Sequence, residues 1–153
     1  MGRTPRIERV AVLDDDVQFI RLIERALQAE QIEVQPVTTL DLDEAVRVVD
    51  ETGCQTALVD VYMYNDIAGF RLIEKLRAHA PTSAIGIIVT SGAHREVGRH
   101  VPFLVEHRCG VLLKPFGIDE LIAKLRAGAV EAAGEGRAHI ARAVFGAVPR
   151  LSA

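Results

Sequence analysis

Residues 10–16 read Val-Ala-Val-Leu-Asp-Asp-Asp, an uninterrupted aliphatic run that ends in three carboxylates. Short aliphatic runs of this kind are typical of strands in a parallel sheet whose two faces are both covered by helices. In such sheets the functional groups collect beyond the carboxyl ends of the strands. We therefore expect carboxylates, a hydroxyl and an ammonium to meet at one edge, because the chain repeats the pattern at Ala57-Leu58-Val59-Asp60, Ile87-Ile88-Val89-Thr90-Ser91-Gly92 and Val111-Leu112-Leu113-Lys114-Pro115.

Amphipathic segments between these runs predict helices. Apolar residues at helical spacing follow Asp16, and Asp41 with Glu44 resembles a capping box that opens a second helix. Further helices are predicted between Gly69 and Pro81 and from about Gly117, where Ile118, Leu121, Ile122 and Leu125 form one apolar stripe. Strand-like segments at 32–37 and 84–89 complete the alternation. The pattern predicts an α/β fold, a doubly wound five-stranded parallel sheet with helices on both faces.

Two segments depart from this alternation. A fourth helix is due between Gly92 and Gly110, but Gly98 and Pro102 interrupt its periodicity, so we expect it to be short or irregular. Residues 134–153 form a predicted C-terminal tail with a short helix as one option. Its small apolar stripe is a candidate homodimer surface and comprises Ala138, Ile140, Ala141, Val144 and Phe145.

Composition and charge exclude several classes of protein. A hydrophobic fraction of 49% is typical of a globular α/β domain, and a net charge of -3 gives no reason to expect direct nucleic-acid binding. No apolar stretch approaches the roughly 20 residues of a membrane span. Residues 1–6, a predicted N-terminal extension, lack the apolar segment of a signal peptide. Cys54 and Cys109 match no metal-site spacing, so we expect a reduced, cytoplasmic protein without membrane contact.

The ordered set of strand-end residues resembles the receiver domain of two-component response regulators. The set consists of two acids after the first strand, an aspartate after the third, a hydroxyl after the fourth and Lys-Pro after the fifth. The likeness covers roughly residues 7–130, and we place the domain at 7–133. It implies a flavodoxin-like sheet with the strand order 2-1-3-4-5.

The resemblance also implies a role for each acidic residue. Asp60 would be the phosphoacceptor, taking a phosphoryl group from a sensor histidine kinase or a phosphotransfer protein. Asp15 would bind Mg²⁺ directly and Asp14 through water, with Asp60 and the backbone carbonyl of Tyr62 as further ligands. Magnesium prefers such oxygen ligands. Asp16 is expected to cap the first helix instead.

At the last two strand ends the resemblance implies phosphoryl-binding and switch residues. Lys114 would contact a phosphoryl oxygen, and Pro115 would shape the next turn, often through a cis peptide in this family. The switch hydroxyl is Ser91 or Thr90. Ser91 is favoured because the small Gly92 follows it and because its spacing to Lys114 is the more usual one.

The sequence departs from the family pattern at three places. Met63 is followed by Tyr64 where the family usually has proline, Gly69 comes one position late, and Val111 stands where an aromatic residue is common. These departures keep open an alternative, a degenerate receiver that serves as a binding or dimerisation scaffold. For a phosphorylated receiver we expect the output to be protein binding or self-association, with an unidentified output protein as partner and without enzymatic turnover.

An enzyme of another class offers a further alternative. The haloacid-dehalogenase-type phosphatases carry an Asp-x-Asp motif after their first strand, and Asp14-Asp15-Asp16 contains it. The threonine expected two residues later is replaced by Gln18. The sequence therefore favours the receiver.

Overall fold

The computed structural model describes residues 6–63 and 66–127. In this part of the chain five parallel strands form one sheet in the order β2-β1-β3-β4-β5. This order confirms the predicted flavodoxin-like topology. The strands are β1 (Arg9–Leu13), β2 (Glu33–Val37), β3 (Thr56–Val59), β4 (Gly86–Ser91) and β5 (Cys109–Leu113).

Helices cover both faces of the sheet, which explains why the strands are aliphatic throughout. Successive strand residues point to opposite faces. Ala11 and Leu13 of β1 lie in one buried core with residues of α2 and α3, whereas Val10 and Val12 lie in a second core with residues of α1 and α6. The described helices are α1 (Val17–Gln28), α2 (Leu42–Glu51), α3 (Ala68–Ala78), α4 (His94–Arg99), α5 (Val101–Glu106) and α6 (Ile118–Ala127).

Aspartate side chains begin the first two helices. Asp16 accepts hydrogen bonds from the backbone N–H groups of Gln18 (3.0 Å) and Phe19 (3.1 Å), as predicted. Asp41 caps α2 in the same way, but Glu44 does not close a capping box with it. Thr39 lies between them instead: its hydroxyl donates to Glu44 (3.2 Å) and accepts from the Asp41 amide (3.1 Å).

The segment between β4 and β5 forms two six-residue helices, where the sequence predicted one short or irregular helix. Gly98 lies inside α4, and Pro102 lies in the first turn of α5, where its missing N–H costs no hydrogen bond. Val97, Val101 and Leu104 are buried and anchor the two helices to the sheet.

Three predicted positions differ from the structure. β4 begins at Gly86 and includes Thr90 and Ser91, which pair with β5, whereas the sequence placed the strand at 84–89. α3 starts at Ala68, before Gly69. Ile118, expected on the buried stripe of α6, is 37% exposed because it lies in the first turn, beyond the strand ends.

The remaining expectations concern membrane spans and the two ends of the chain. Among residues 6–63 and 66–127, no helix has both the length and the hydropathy needed to cross a membrane. The predicted tail at 134–153 and its apolar stripe lie outside the described residues, as do residues 1–5 of the predicted extension.

Candidate functional site

Three aspartates converge at the carboxyl edge of the sheet. Asp14 and Asp15 follow β1, and Asp60 follows β3, the strand paired with β1. One carboxylate oxygen of each residue lies within 4.8 Å of those of the other two. Asp14 and Asp60 are 1% and 8% exposed, whereas Asp15 faces solvent. The fold thus builds a half-buried acidic pocket in which Asp14 and Asp60 come from positions 46 residues apart in the sequence.

Lys114 supplies the positive charge in this pocket. Its Nζ lies 2.8 Å from Oδ2 of Asp14 and 3.2 Å from Oδ2 of Asp60. The ammonium also lies 3.9 Å from the centre of the Phe19 ring. Phe19, which the sequence suggested only as a helix residue, therefore contacts a site residue. Its place one turn beyond Asp15, at the start of α1, is the only sequence signal that could have indicated this contact.

Burial and charge compete at Asp60 and Lys114. Burial raises the pKa of Asp60 to about 6; the Asp14 charge adds to this, and Lys114 opposes it. Burial by itself would lower the pKa of Lys114, but hydrogen bonds and charge from Asp14 and Asp60 outweigh it, so that pKa is raised. One ammonium thus faces two buried carboxylates, and the pocket retains negative charge.

Backbone amides orient both buried carboxylates. Oδ1 of Asp60 accepts from the Tyr62 amide (3.1 Å), and Oδ1 of Asp14 accepts from the Asp16 amide (2.9 Å). These are short-range turns of the kind that aspartates commonly form. Tyr62 is 40% exposed, so it is not part of the buried core.

Gly69, which comes one position later than in the family pattern, packs directly against the backbone of Asp60. A Cβ on Gly69 would lie 2.3 Å from the Asp60 carbonyl oxygen and 2.7 Å from Cα of Val61. The Gly69 amide donates to the Val61 carbonyl at 3.1 Å. The one-residue shift is therefore accommodated between positions 61 and 69, where Met63 and Asp66 form an antiparallel bridge.

Both candidate hydroxyls lie at the end of β4 and both are buried. Ser91 Oγ accepts from the Ala93 amide at 3.0 Å. Thr90 Oγ1 has no hydrogen-bond partner among the described residues. Gly92 is exposed, with open space where a Cβ would lie. The assignment of Ser91, rather than Thr90, as the hydroxyl that binds a phosphoryl group stays a prediction.

The residues after β5 also follow the expected arrangement. The Lys114–Pro115 peptide is cis, the form that the family resemblance implies. The Lys114 amide donates to the Ser91 carbonyl at 2.8 Å, so the two strand ends stay joined at the site. Val111, at the position where the family often has an aromatic residue, is a buried core residue.

The donor set of the pocket fits magnesium. This cation is usually bound by one or two carboxylates together with water and phosphate oxygens. Asp14, Asp15 and Asp60 offer carboxylate oxygens only, close enough together to share one ion. Hard oxygen donors of this kind are typical of magnesium, calcium and manganese sites.

Comparison with known proteins identifies the family. The sequence model of the response regulator receiver domain matches residues 10–126. The chain belongs to this family. Membership of the receiver family explains the order of the strand-end residues and favours this assignment over the phosphatase alternative. It also agrees with the observed strand order.

Individual relatives of this receiver domain are distant. The transcriptional regulatory proteins TrcR and TcrA of Mycobacterium tuberculosis are 28% and 32% identical over 136 and 119 residues. The alignments cover 82% and 78% of the chain but 49% and 45% of the relatives. The chain therefore spans about half the length of the curated relatives it matches.

A solved structure of similar fold is the receiver domain of a sensor histidine kinase from Pseudomonas aeruginosa. Its TM-score is 0.67 at 21% identity, and the match covers 81% of the chain and 98% of that structure. That protein has a magnesium ion coordinated in its active site cleft. At this identity the likeness establishes the shared fold.

Proposed function

We propose that this receiver domain is a phosphoacceptor switch. Asp60 takes a phosphoryl group from the phosphohistidine of a sensor histidine kinase or phosphotransfer protein, and the modification alters the contacts of the domain with other proteins. The observation that carries this proposal is the cluster of Asp14, Asp15 and Asp60 at one strand edge. Two of these acids, Asp14 and Asp60, pair with the ammonium of Lys114. Carboxylates and a cation at one strand edge suit phosphoryl transfer, which depends mainly on positioning and charge.

The chemistry needs little from the protein beyond an ionised nucleophile. A carboxylate oxygen of Asp60 forms a bond to phosphorus while the phosphorus–nitrogen bond of the donor breaks, and the imidazole of the donor keeps the electron pair. The product is an acyl phosphate. With a pKa of about 6, Asp60 is mostly ionised at neutral pH, so no general base is required. Lys114 would then pair with a phosphoryl oxygen as a point charge.

Mg²⁺ is the proposed cofactor of this site. Asp14, Asp15, Asp60 and the Tyr62 carbonyl would hold it, with Asp15 as the direct ligand and Asp14 acting through water. When bound, the cation would neutralise charge on the carboxylates and on the phosphoryl oxygens. The three clustered carboxylates and the magnesium ion in the related Pseudomonas structure support this assignment.

Ser91 is the proposed switch residue, with Thr90 as the alternative. The Ser91 oxygen accepts a hydrogen bond from Ala93, and its own O–H can still donate to a phosphoryl oxygen. Such a bond would pull the start of the β4–α4 loop towards Asp60. Gly92 and Pro115 would support the two loops on either side.

The output of the switch is proposed to be a protein contact in the cytoplasm. TrcR and TcrA are named as transcriptional regulatory proteins, and the chain matches about half of each. We therefore propose an output protein or a second copy of the chain as the partner. Cys54 and Cys109 are both free and buried, as a reducing compartment would keep them.

Intact-protein mass spectrometry tests this function. The protein is incubated with acetyl phosphate and Mg²⁺ beside Asp60→Asn. We expect the mass of one phosphoryl group to be added to the wild type and not to the variant. Equal labelling of both would remove Asp60 from its role. Labelling of neither, together with no response to magnesium, would favour the scaffold alternative.

A further inference from the structure

His94 contacts the backbone of the site lysine. It is the first residue of α4, it is exposed, and its Nε2 lies 3.1 Å from the carbonyl oxygen of Lys114. A carbonyl oxygen can only accept a hydrogen bond, so Nε2 carries the hydrogen. The sequence suggested no role for this histidine.

This contact completes a set of hydrogen bonds around Lys114. The Lys114 backbone N–H donates to the Ser91 carbonyl at 2.8 Å. The Lys114 backbone carbonyl accepts from the His94 side chain. The four residues 91–94 are joined internally, since Ala93 N–H donates to Ser91 Oγ at 3.0 Å and His94 N–H donates to the Gly92 carbonyl at 3.0 Å. The segment that carries Ser91 therefore holds Lys114 by both of its backbone polar groups.

The contact between His94 and Lys114 lies just beyond the end of the β4–β5 pairing. The registered pairing of β4 with β5 ends at Ser91 and Leu113, immediately before Lys114. Beyond that point the Lys114 carbonyl is held through the His94 side chain, and from this backbone the Lys114 ammonium reaches Asp14 and Asp60. A shift of the β4–α4 loop would therefore move the backbone of Lys114 with it.

We propose that His94 is a positioning residue for Lys114, and that its imidazole links the phosphoryl site to the first turn of α4. This inference rests on the proposed phosphoacceptor function. His94 lies outside the carboxylates, the hydroxyl and the lysine of the proposed site. Its hydrogen bond to Lys114 is the path by which a change at Ser91 would reach α4.

Three variants test the proposal. His94→Ala removes the hydrogen bond, His94→Gln keeps an N–H donor, and Arg95→Ala changes an exposed neighbour in the same turn as a control. We expect His94→Ala to slow the initial rate of phosphoryl uptake from acetyl phosphate with Mg²⁺ by roughly 2- to 10-fold, the factor that one ordinary hydrogen bond supports. His94→Gln should recover most of that rate, and Arg95→Ala should match the wild type.

A second readout separates positioning from a general loss of structure. Amide NMR spectra of each protein are recorded with and without beryllofluoride and Mg²⁺. In wild type and His94→Gln we expect shifts at both Ser91 and α4, and in His94→Ala shifts at Ser91 but reduced shifts at residues 95–99. Wild-type rates and wild-type α4 shifts in His94→Ala would overturn the inference while leaving Asp60 as phosphoacceptor. A wild type that takes up no phosphoryl group would overturn both.

Discussion

Lys114 and Asp14 lie 100 residues apart in the chain, and their side chains form an ion pair of 2.8 Å in which the Asp14 carboxylate is buried. The same ammonium reaches Asp60 at 3.2 Å. Two buried acids therefore share the Lys114 ammonium. The stability of the folded protein should depend on this shared charge. Replacing the lysine or one of the acids should therefore change the free energy of unfolding.

Replacing Lys114 by methionine should destabilise the metal-free protein by about 2–4 kcal/mol, because removing one partner of a buried pair leaves an uncompensated charge. Mg²⁺ should restore more free energy of unfolding in Lys114→Met than in the wild type, since the variant has the greater negative charge. Urea unfolding with EDTA and with Mg²⁺ measures both quantities.

Lys75→Met is the matched control for this change. Lys75 forms an exposed ion pair of 2.9 Å with Asp43, and such pairs contribute roughly 1 kcal/mol or less. We expect its response to Mg²⁺ to equal that of the wild type. If Mg²⁺ raised the free energy of unfolding of Lys114→Met by no more than that of the wild type and Lys75→Met, the shared-charge account would be wrong.

Replacing Asp60 by asparagine should stabilise the metal-free protein at neutral pH. Burial raises the pKa of Asp60 to about 6, so the folded state holds this proton more tightly than the unfolded chain does. The stability that Asp60 contributes is therefore present at low pH and lost as the pH rises through about 6. Relative to the variant, the wild type should lose at most about 3 kcal/mol between about pH 4 and pH 7.5.

Unfolding curves of the two proteins in EDTA across this pH range test the sign of the effect. Asp60→Asn should be the more stable protein at about pH 7.5, and the difference should shrink towards zero near pH 4. A difference that stays constant with pH would mean that the Asp60 pKa is not raised by folding.

Gly69→Ala should destabilise the protein by roughly 1–3 kcal/mol, as overpacking of a tight contact commonly does. The added Cβ would meet the Asp60 carbonyl oxygen at 2.3 Å, and backbone atoms cannot rotate away. Phosphoryl uptake should fall too, because Asp60 itself must shift. In the control Gly110→Ala, the new Cβ meets Cγ1 of Ile88 at an ordinary 3.6 Å. Equal stability of the two variants would show that the contact is not restrictive.

Arg77 should be a structural residue remote from the chemistry. Its guanidinium donates to the carbonyls of Ser83 (3.0 Å), Ile85 (2.6 Å) and His107 (2.8 Å), which joins the end of α3 to the segments that enter β4 and β5. Arg77→Met should cost about 2–4 kcal/mol, since several carbonyls lose a charged donor.

Arg77→Lys should recover only part of this loss, because an ammonium cannot span three carbonyls as a planar guanidinium does. Arg71→Met removes an exposed arginine paired with Asp66 and should change stability little. Denaturant midpoints of the three variants decide the matter, and an Arg77→Met midpoint equal to that of Arg71→Met would contradict the structural role.

The sheet and its acidic edge could be predicted because each depends on local pattern. Aliphatic runs such as 10–13 and 57–59 are buried on both faces, and a carboxylate after each run falls at the same edge. The end of β4 was harder to predict. Thr90 and Ser91 interrupt the apolar run, yet they continue the strand because their backbones pair with β5.

Contacts that depend on tertiary structure could not be predicted from the chain alone. Phe19 lies against Lys114, and His94 bonds to the Lys114 carbonyl, only because α1, α4 and β5 meet at one edge. The close approach of Gly69 to the Asp60 carbonyl depends likewise on how the intervening loop turns. For Phe19 the spacing to Asp15 is a weak signal, and for the His94 and Gly69 contacts spacing in sequence carries none.

Chemical mapping of the acyl phosphate identifies the aspartate that accepts the phosphoryl group. The protein is treated with acetyl phosphate and Mg²⁺, reduced with borohydride, digested and sequenced by mass spectrometry. Reduction converts an aspartyl phosphate to homoserine, and we expect homoserine at position 60. Homoserine at position 14 or 15 instead, or at none of the three acidic positions, would contradict the assignment of Asp60 as the phosphoacceptor.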